Sequence, residues 1–179
     1  MALSDFYGEE TINGLDASLS MVTLEEAETY FKGRVGSENW DCVSELTEDE
    51  QGESPSEQEA FLKLQALVDA TRRINRLNYK GCKADPAQAH AFPRDDDSEI
   101  PNNIKDAVCE LANELLGGVD DNLEVENLGV LSQSFSGVKT SHDRSSTPLH
   151  IIAGIPSVVA WRNLLPFLKD PRKLRMVRV

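Results

Sequence analysis

Two stripes of apolar residues at helical spacing dominate the middle of the chain. The first begins after a capping sequence, in which Ser54 and Glu57 suit the first turn of a helix, and it continues to Leu77. The second follows residues 100–101 and stops at residues 117–118, a pair of glycines typical of a helix end. We therefore predict two long helices that pack against each other as an antiparallel pair.

Shorter elements are predicted on both sides of this pair. Residues 23–35 begin with a capping box and predict a helix, and residues 38–46 predict a short helical turn. Residues 119–150 are polar, and their imperfect alternation predicts a hairpin that turns near residues 127–129. Residues 155–165 predict a last helix, which Pro166 breaks or kinks.

These elements define the fold class and the domain organisation that we expect. The chain should be mainly α, a small antiparallel helical bundle with long irregular loops, one β-hairpin and extended arms at both ends. Residues 1–20 would form an extended N-terminal arm. Residues 21–168 would form one helical domain, with residues 119–150 as an inserted loop or hairpin, and residues 169–179 a C-terminal tail.

The segment between the two striped helices is a long irregular loop. Gly81, Pro86 and Pro93 are spaced through residues 79–94. A loop of this length is unusual inside a compact domain, so we expect it to be ordered by its own contacts or to be functional. Tyr79 and Phe92 are the side chains that we expect to pin it to the helix pair.

Composition narrows the class of protein. With 179 residues and 40% hydrophobic residues, the chain can form one ordinary core. A formal charge of -13 disfavours nonspecific attraction to nucleic-acid phosphate. No apolar run suits a membrane span, and the first residues lack the pattern of a signal peptide. Cys42, Cys82 and Cys109 contain no CxxC pair, which favours free thiols in a reducing compartment.

The C-terminal tail reverses the charge of the rest of the chain. Residues 169–179 contain one acid, Asp170, and these cations: Lys169, Arg172, Lys173, Arg175 and Arg178. Such an asymmetry indicates docking at an oppositely charged surface. Leu174 and Met176 alternate loosely with the cations, so the tail could also add as a strand to the sheet edge of a partner.

Several short motifs, taken in order, resemble one protein family. They are residues 71–75 (Thr-Arg-Arg-Ile-Asn), 80–83 (Lys-Gly-Cys-Lys), Gln88, 92–94 (Phe-Pro-Arg), 100–101 (Ile-Pro), Lys105, Ala107 and Glu110. With residues 21–27, Tyr30, Phe31 and Trp40 upstream, the chain resembles the head-to-tail adaptor (connector, head-completion) proteins of tailed bacteriophages. The same pattern is also labelled a DnaT-like single-stranded-DNA-binding protein. The chain departs from it at Asn75, where the family often has Asp, and in an acidic insert before Ser54.

The resemblance implies a structural virion protein. Its copies would close into a ring of about twelve beneath the portal, as head-to-tail interfaces can. The ring would connect capsid to tail in the neck of the virion, after assembly in the host cytoplasm. Its partners would be the portal protein, the neck or tail proteins below it and other copies of itself, with no membrane. Genomic DNA would pass through the channel without specific binding, because an acidic lining repels phosphate.

Two groups of residues are our candidates for these contacts. The portal-docking candidates are Arg172, Lys173, Leu174, Arg175, Met176, Val177, Arg178 and Val179. The candidates for contacts between copies or with tail proteins are Lys80, Lys83, Gln88, Phe92 and Arg94, together with the polar residues 119–150. The alternative function is a single-stranded-DNA-binding replication protein. That function needs a basic groove with stacking aromatic rings, and this acidic chain has few aromatic residues.

Residues that could support catalysis or metal binding have simpler interpretations. Cys82 and His90 could bind a metal or form a nucleophile pair, but they lack further ligands and an orienting group, so a packed loop cysteine is favoured. Residues 72–76 contain three arginines that could contact phosphate, and pairing with carboxylates is favoured. The three aspartates at 95–97 favour a solvated turn over a cation site. The sequence thus predicts a binding protein without a catalytic centre, metal or cofactor; a small enzyme that uses Cys82 and His90 stays a third hypothesis.

Overall fold

The computed structural model describes residues 11–43, 55–119, 132–135, 138–141 and 148–169. These parts are mainly helical, as the sequence predicts. In chain order the elements are β1 (Thr11–Ile12), β2 (Leu15–Asp16), α1 (Leu24–Lys32), α2 (Glu38–Asp41), α3 (Pro55–Asn75), α4 (Asn102–Leu116), β3 (Ser132–Phe135), β4 (Val138–Ser141), α5 (Leu149–Ile152) and α6 (Val158–Leu164). Single turns of 3₁₀ helix lie at Ala17–Leu19 and Leu165–Phe167.

Helices α3 and α4 form the centre of the fold. Both apolar stripes are buried, as predicted, and their fully buried members include Leu64, Leu67, Ile74, Ile104, Val108 and Leu111. The glycine stop is also confirmed, because Gly117 caps α4 and Gly118 has a positive φ of 75°. Helix α3 ends at Asn75, two residues before the predicted Leu77. The predicted cap at Ser54 lies outside the described residues.

Helices α1 and α2 close one side of this centre. The capping box of α1 is confirmed: the Thr23 hydroxyl accepts from the backbone N–H of Glu26, and the Glu26 carboxylate accepts from that of Thr23. Phe31 of α1 stacks on Trp40 of α2 with ring centroids 4.6 Å apart, and both residues are buried. Helix α1 ends at Lys32, earlier than predicted, and α2 is a single turn.

The described half of the expected N-terminal arm is not extended. Strands β1 and β2 form a hairpin, and Asn13 and Gly14 between them both have positive φ, as a two-residue turn of this kind requires. Ile12 is buried in the core, and the hairpin packs on α3. The prediction of an arm is therefore wrong for residues 11–20, because it overlooked the Asn-Gly turn signal.

The hairpin in the polar segment exists, but its position differs from the prediction. Phe135 pairs with Val138 and Ser132 with Ser141, so residues 136–137 connect the strands. The predicted turn at residues 127–129 lies outside the described residues. A Ser-Gly pair suits a two-residue connection, and it was the better turn signal.

The C-terminal helix is shorter than predicted. Helix α6 begins after Ser157, whose hydroxyl accepts from the backbone N–H of Ala160, and it packs on α4. A turn of 3₁₀ helix that contains Pro166 follows it, which confirms the predicted break. The single-turn helix α5 was not predicted. No helix in the described parts of the chain is both long enough and apolar enough to cross a membrane.

Candidate functional site

Three aromatic rings fix the loop between α3 and α4. The rings of Tyr79 and Phe92 meet edge to face with centroids 4.7 Å apart, and Phe167 packs against Phe92 at 5.6 Å. The Tyr79 hydroxyl donates to the backbone oxygen of Ile74 at 2.8 Å, and burial raises the pKa of this phenol. The prediction that Tyr79 and Phe92 pin the loop is confirmed, since both are buried.

Arg94 joins the two ends of this loop. Its guanidinium donates to the backbone oxygens of Lys80, Gly81 and Ala91 at 2.8, 2.7 and 3.0 Å. It also lies over the rings of Tyr79 and Phe92, with distances of 5.7 and 5.9 Å to the ring centroids. Lysine could not reproduce this pattern, because the planar fork of arginine presents several donors in fixed directions.

Asp95 and Gly81 close the same loop at a second point. The Asp95 carboxylate accepts from the backbone N–H of Cys82 at 2.8 Å, and the Asp95 N–H donates to the Cys82 oxygen at 2.9 Å. Gly81 has a φ of +69°, and a Cβ at this position would collide with the Asp95 carboxylate. Asp95 is therefore a structural residue of the loop, which goes beyond the solvated turn that the sequence predicted.

The other loop candidates also bond within the chain. Lys83 Nζ donates to the Gln88 oxygen at 2.9 Å, and the Gln88 amide donates to the oxygens of His90 and Pro93. Lys80 Nζ donates to the oxygen of Pro166 at 2.9 Å. With Phe92 buried and Arg94 bonded across the loop, the five predicted interface residues all order the loop itself. Their contacts with other proteins stay a prediction.

A chain of hydrogen bonds ties the N-terminal segment to this loop. The backbone N–H of Ala91 donates to Asn75 Oδ1 at 2.7 Å, which fixes the orientation of the amide. Asn75 Nδ2 then donates to His90 Nδ1 at 3.3 Å, so His90 Nε2 carries a proton and donates to the Ser18 oxygen at 3.0 Å. Both ring nitrogens of His90 are used, which weakens the metal and nucleophile hypotheses. The described residues contain no cluster of three metal-ligating side chains.

The root of the C-terminal tail lies beside the loop. Tyr79 forms an antiparallel bridge with Leu168, and the backbone N–H of Lys80 donates to the Phe167 oxygen at 2.8 Å. The backbone N–H of Lys169 donates to the Asn78 oxygen at 2.9 Å. The portal-docking candidates Arg172 to Val179 lie outside the described residues. The structure nevertheless brings the start of their segment and the loop to one end of the helical body.

The arginines at the end of α3 are only partly paired. Arg73 Nε lies 3.0 Å from Asp69 Oδ2, and a second guanidinium nitrogen donates to the Gly154 oxygen at 3.3 Å. Carboxylate pairing is thus confirmed for Arg73. Arg72 and Arg76 are exposed, and Arg76 lines a small cleft of 150 Å³ beside Arg73.

Two buried charges are each paired with at least one partner from another element. Glu110 of α4 is buried, and Arg34 and the Tyr30 hydroxyl both bind its carboxylate. Burial is the largest cause that raises the pKa of Tyr30, and the hydrogen bond to the Glu110 carboxylate raises it further. Lys63 of α3 is likewise buried, and its ammonium lies 2.7 Å from carboxylate oxygens of both Glu28 and Glu59. The pair of Glu59 and Lys63 spans one helical turn, whereas no local pattern indicated the pairs of Glu110 with Arg34 and of Lys63 with Glu28.

A charged groove between α1 and α4 was also missed. Its volume is 410 Å³, and its lining residues are Val22, Glu25, Glu26, Thr29, Tyr30, Asn102, Lys105, Asp106 and Cys109. Glu26 pairs with Lys105 across it. Burial and Glu110 raise the pKa of Asp106, whereas for Glu26 the effect of burial is outweighed by Lys105 and Thr23, which lower its pKa. No sequence pattern links walls that are about eighty positions apart along the chain.

One comparison with known proteins gives a match. A family model described as "Putative DnaT-like ssDNA binding protein" matches residues 9–178. The chain belongs to this DnaT-like family. No curated protein and no solved structure matches the chain. The description of the matching family agrees with the DnaT-like label. The adaptor label is supported only by the resemblance in sequence.

The described surface has few of the features that single-stranded-DNA-binding sites need. Such sites combine a basic groove with exposed aromatic rings. Here Phe31, Trp40, Tyr79 and Phe92 are buried. Four further rings are half-buried: Tyr30, Phe61, Trp161 and Phe167. Five exposed cations are nevertheless concentrated at the end of α3, in the loop and at the root of the tail: Arg72, Arg76, Lys80, Lys83 and Lys169. Any contact with phosphate by the described residues would be made most readily there.

Proposed function

We propose that this protein is a structural docking protein of a phage neck. It acts as a head-to-tail adaptor, whose copies form a ring under the portal, connect the capsid to the tail and continue the DNA channel. The observation that carries this proposal is that the loop and the root of the C-terminal tail lie side by side. The bridge between Tyr79 and Leu168 places the loop and the root of the tail together, so one end of the helical body presents both to partners.

The order of the loop supports a role in binding. A segment that is already fixed loses less conformational entropy when it binds, and the surplus appears as affinity. Three rings, the Arg94 fork and the Asp95 carboxylate fix this loop without any partner. Residues 84–87 remain exposed on the fixed frame, and they are the part of the loop that can contact another copy or a tail protein.

The charge of the chain fits the same role. A formal charge of -13 would let DNA pass through a ring without adhering to it, because like charges repel. The cationic tail is the exception, and it would contact the acidic surface of a portal protein. Leu174, Met176 and Val177 would add apolar contact to that interface.

The test of this proposal uses the portal protein of the same phage. The full chain and a variant that lacks residues 172–179 are each mixed with portal rings, and the mass of the complex is measured by light scattering after size exclusion. We expect the full chain to join as a ring of about twelve copies. Undiminished binding by the truncated chain would show that the tail assignment is wrong. Lys32→Ala, which removes an exposed cation far from the tail in sequence, is the matched control.

Single-stranded-DNA binding is the second candidate, and the family description favours it. Its site would be the exposed cations at the end of α3, with Arg72 and Arg76 as the central pair. The discriminating measurement is the fluorescence anisotropy of a labelled oligothymidine at low salt. Tight binding that weakens steeply with salt and is lost in R72A/R76A would establish this candidate. Weak binding that the double variant leaves unchanged would favour the adaptor.

A further inference from the structure

The groove between α1 and α4 has a floor and a rim of different character. Val22 and Cys109 are buried at its base. Glu25 and Glu26 stand on the α1 side, and Asp106 stands on the α4 side. A groove with an apolar floor and an acidic rim suits an extended segment that alternates apolar and cationic side chains.

The negative charge of the rim is not balanced within the described part of the chain. Lys105 already pairs with Glu26, and Arg34 already binds Glu110. Among the described residues, no cation lies within ion-pair distance of Asp106 or Glu25. Burial and the neighbouring Glu110 raise the pKa of Asp106, so a cation placed beside it would relieve an existing electrostatic penalty.

We propose that this groove holds the C-terminal tail of the same chain whenever the tail is not bound to a partner. In the tail, Lys173 and Arg175 alternate with Leu174 and Met176. The cations would face the acidic rim, and the apolar side chains would face the floor. The inference rests on the proposed function only in treating the tail as the docking element.

The tail can span a distance as great as the length of the longest described helix. Ten residues follow Lys169, and extended they span roughly 33–36 Å. Helix α3, the longest described element with 21 residues, is about 31 Å long. A segment attached to the same body also has an effective concentration in the millimolar range, which favours it over the tail of a second copy.

Occupation of the groove would regulate docking. The tail cannot lie between α1 and α4 and bind the portal at the same time. Copies that have not met a portal would therefore keep their apolar tail residues covered, and portal binding would have to displace the tail. Such a device would also limit association between free copies.

The first test measures trypsin cleavage of the full chain within the tail, followed by mass spectrometry. We expect E25Q/D106N to be cleaved about threefold to fivefold faster than the wild type, the scale of a lost surface ion pair. Asp97→Asn, an exposed acid in the loop, is the matched control and should leave the rate unchanged. Equal rates in all three proteins would overturn the proposal.

The second test asks whose tail fills the groove. A cysteine introduced at Asn102, an exposed residue that lines the groove, can cross-link to a cysteine introduced at Met176 or Leu174, in a C42S/C82S background that removes the two exposed thiols. A disulfide within one chain supports the proposal. Cross-linked dimers, or no cross-link at either position, would overturn it. Neither test contains a portal, so their failure is distinguishable from failure of the adaptor function.

Discussion

The helical body and the loop between α3 and α4 are held together by different interactions. In the body, apolar stripes bury one another, and two charges, Glu110 and Lys63, lie inside with partners from distant elements. In the loop, most polar contacts run from a side chain to a backbone atom of the same loop. Removing one contact in the body should therefore lower the stability of the whole fold, whereas removing one hydrogen bond in the loop should mainly loosen the loop.

Arg34→Met should give the largest effect. It leaves the buried Glu110 carboxylate without its cation, and we expect a loss of about 3 kcal/mol in the free energy of unfolding. Urea denaturation measures this loss. Lys32→Met, at a neighbouring exposed position, should change the value by about 0.5 kcal/mol or less. If R34M matches that control, the pair does not stabilise the body; R34M/E110L should recover most of the loss.

Gly81→Ala should have the next largest effect. Gly118→Ala is its matched control, because both glycines have positive φ but only Gly81 faces a close neighbour, the Asp95 carboxylate. We expect a loss of about 1 kcal/mol for G118A from backbone strain, and about 2–3 kcal/mol for G81A. Thermal denaturation of both variants separates the cost of backbone strain from the cost of the collision with Asp95. Equal losses would mean that the contact with Asp95 is unimportant.

Arg94→Lys should destabilise the loop and spare the body. The lysine keeps the charge but loses most of the donors that join Lys80, Gly81 and Ala91, which should cost about 1 kcal/mol locally. Hydrogen exchange should become faster across residues 80–95 while residues 104–112 of α4 keep their protection. Faster exchange in α4 as well would show that loop and body unfold together.

Asp106→Asn and Glu26→Gln should give the smallest effects, with opposite signs. The folded-state pKa of Asp106 is raised, so in a chain that lacks residues 172–179 its charge destabilises the fold at neutral pH. In that chain D106N should stabilise the fold by about 0.5 kcal/mol, a value reduced by solvent screening. The folded-state pKa of Glu26 is lowered, so E26Q should lose a similar small amount.

The Asp106 difference should fade as the pH falls through its raised folded-state pKa towards 3.8. The Glu26 difference should persist at pH 4.5 and fade only below it, as the pH falls through the lowered folded-state pKa. Urea denaturation across this pH range measures them. Effects of the same sign for D106N and E26Q would contradict the electrostatic description of the groove.

Much of the helical body followed from local sequence. Apolar spacing located α3 and α4, and capping residues located the start of α1 and the end of α4. These signals succeed because helical spacing and caps involve residues at most four positions apart. The sequence signal for the first hairpin, the turn at Asn13 and Gly14, is equally local, and it would have predicted the hairpin.

The sequence by itself determined where the two long helices lie, which rings fix the loop and where the charge of the chain changes sign. Only the tertiary structure decided that the loop and the root of the tail share one end, that Glu110 and Lys63 are buried with partners, and that α1 and α4 enclose an acidic groove. The physical reason is distance along the chain. Contacts across about eighty residues depend on how the helices pack, and no local pattern encodes them.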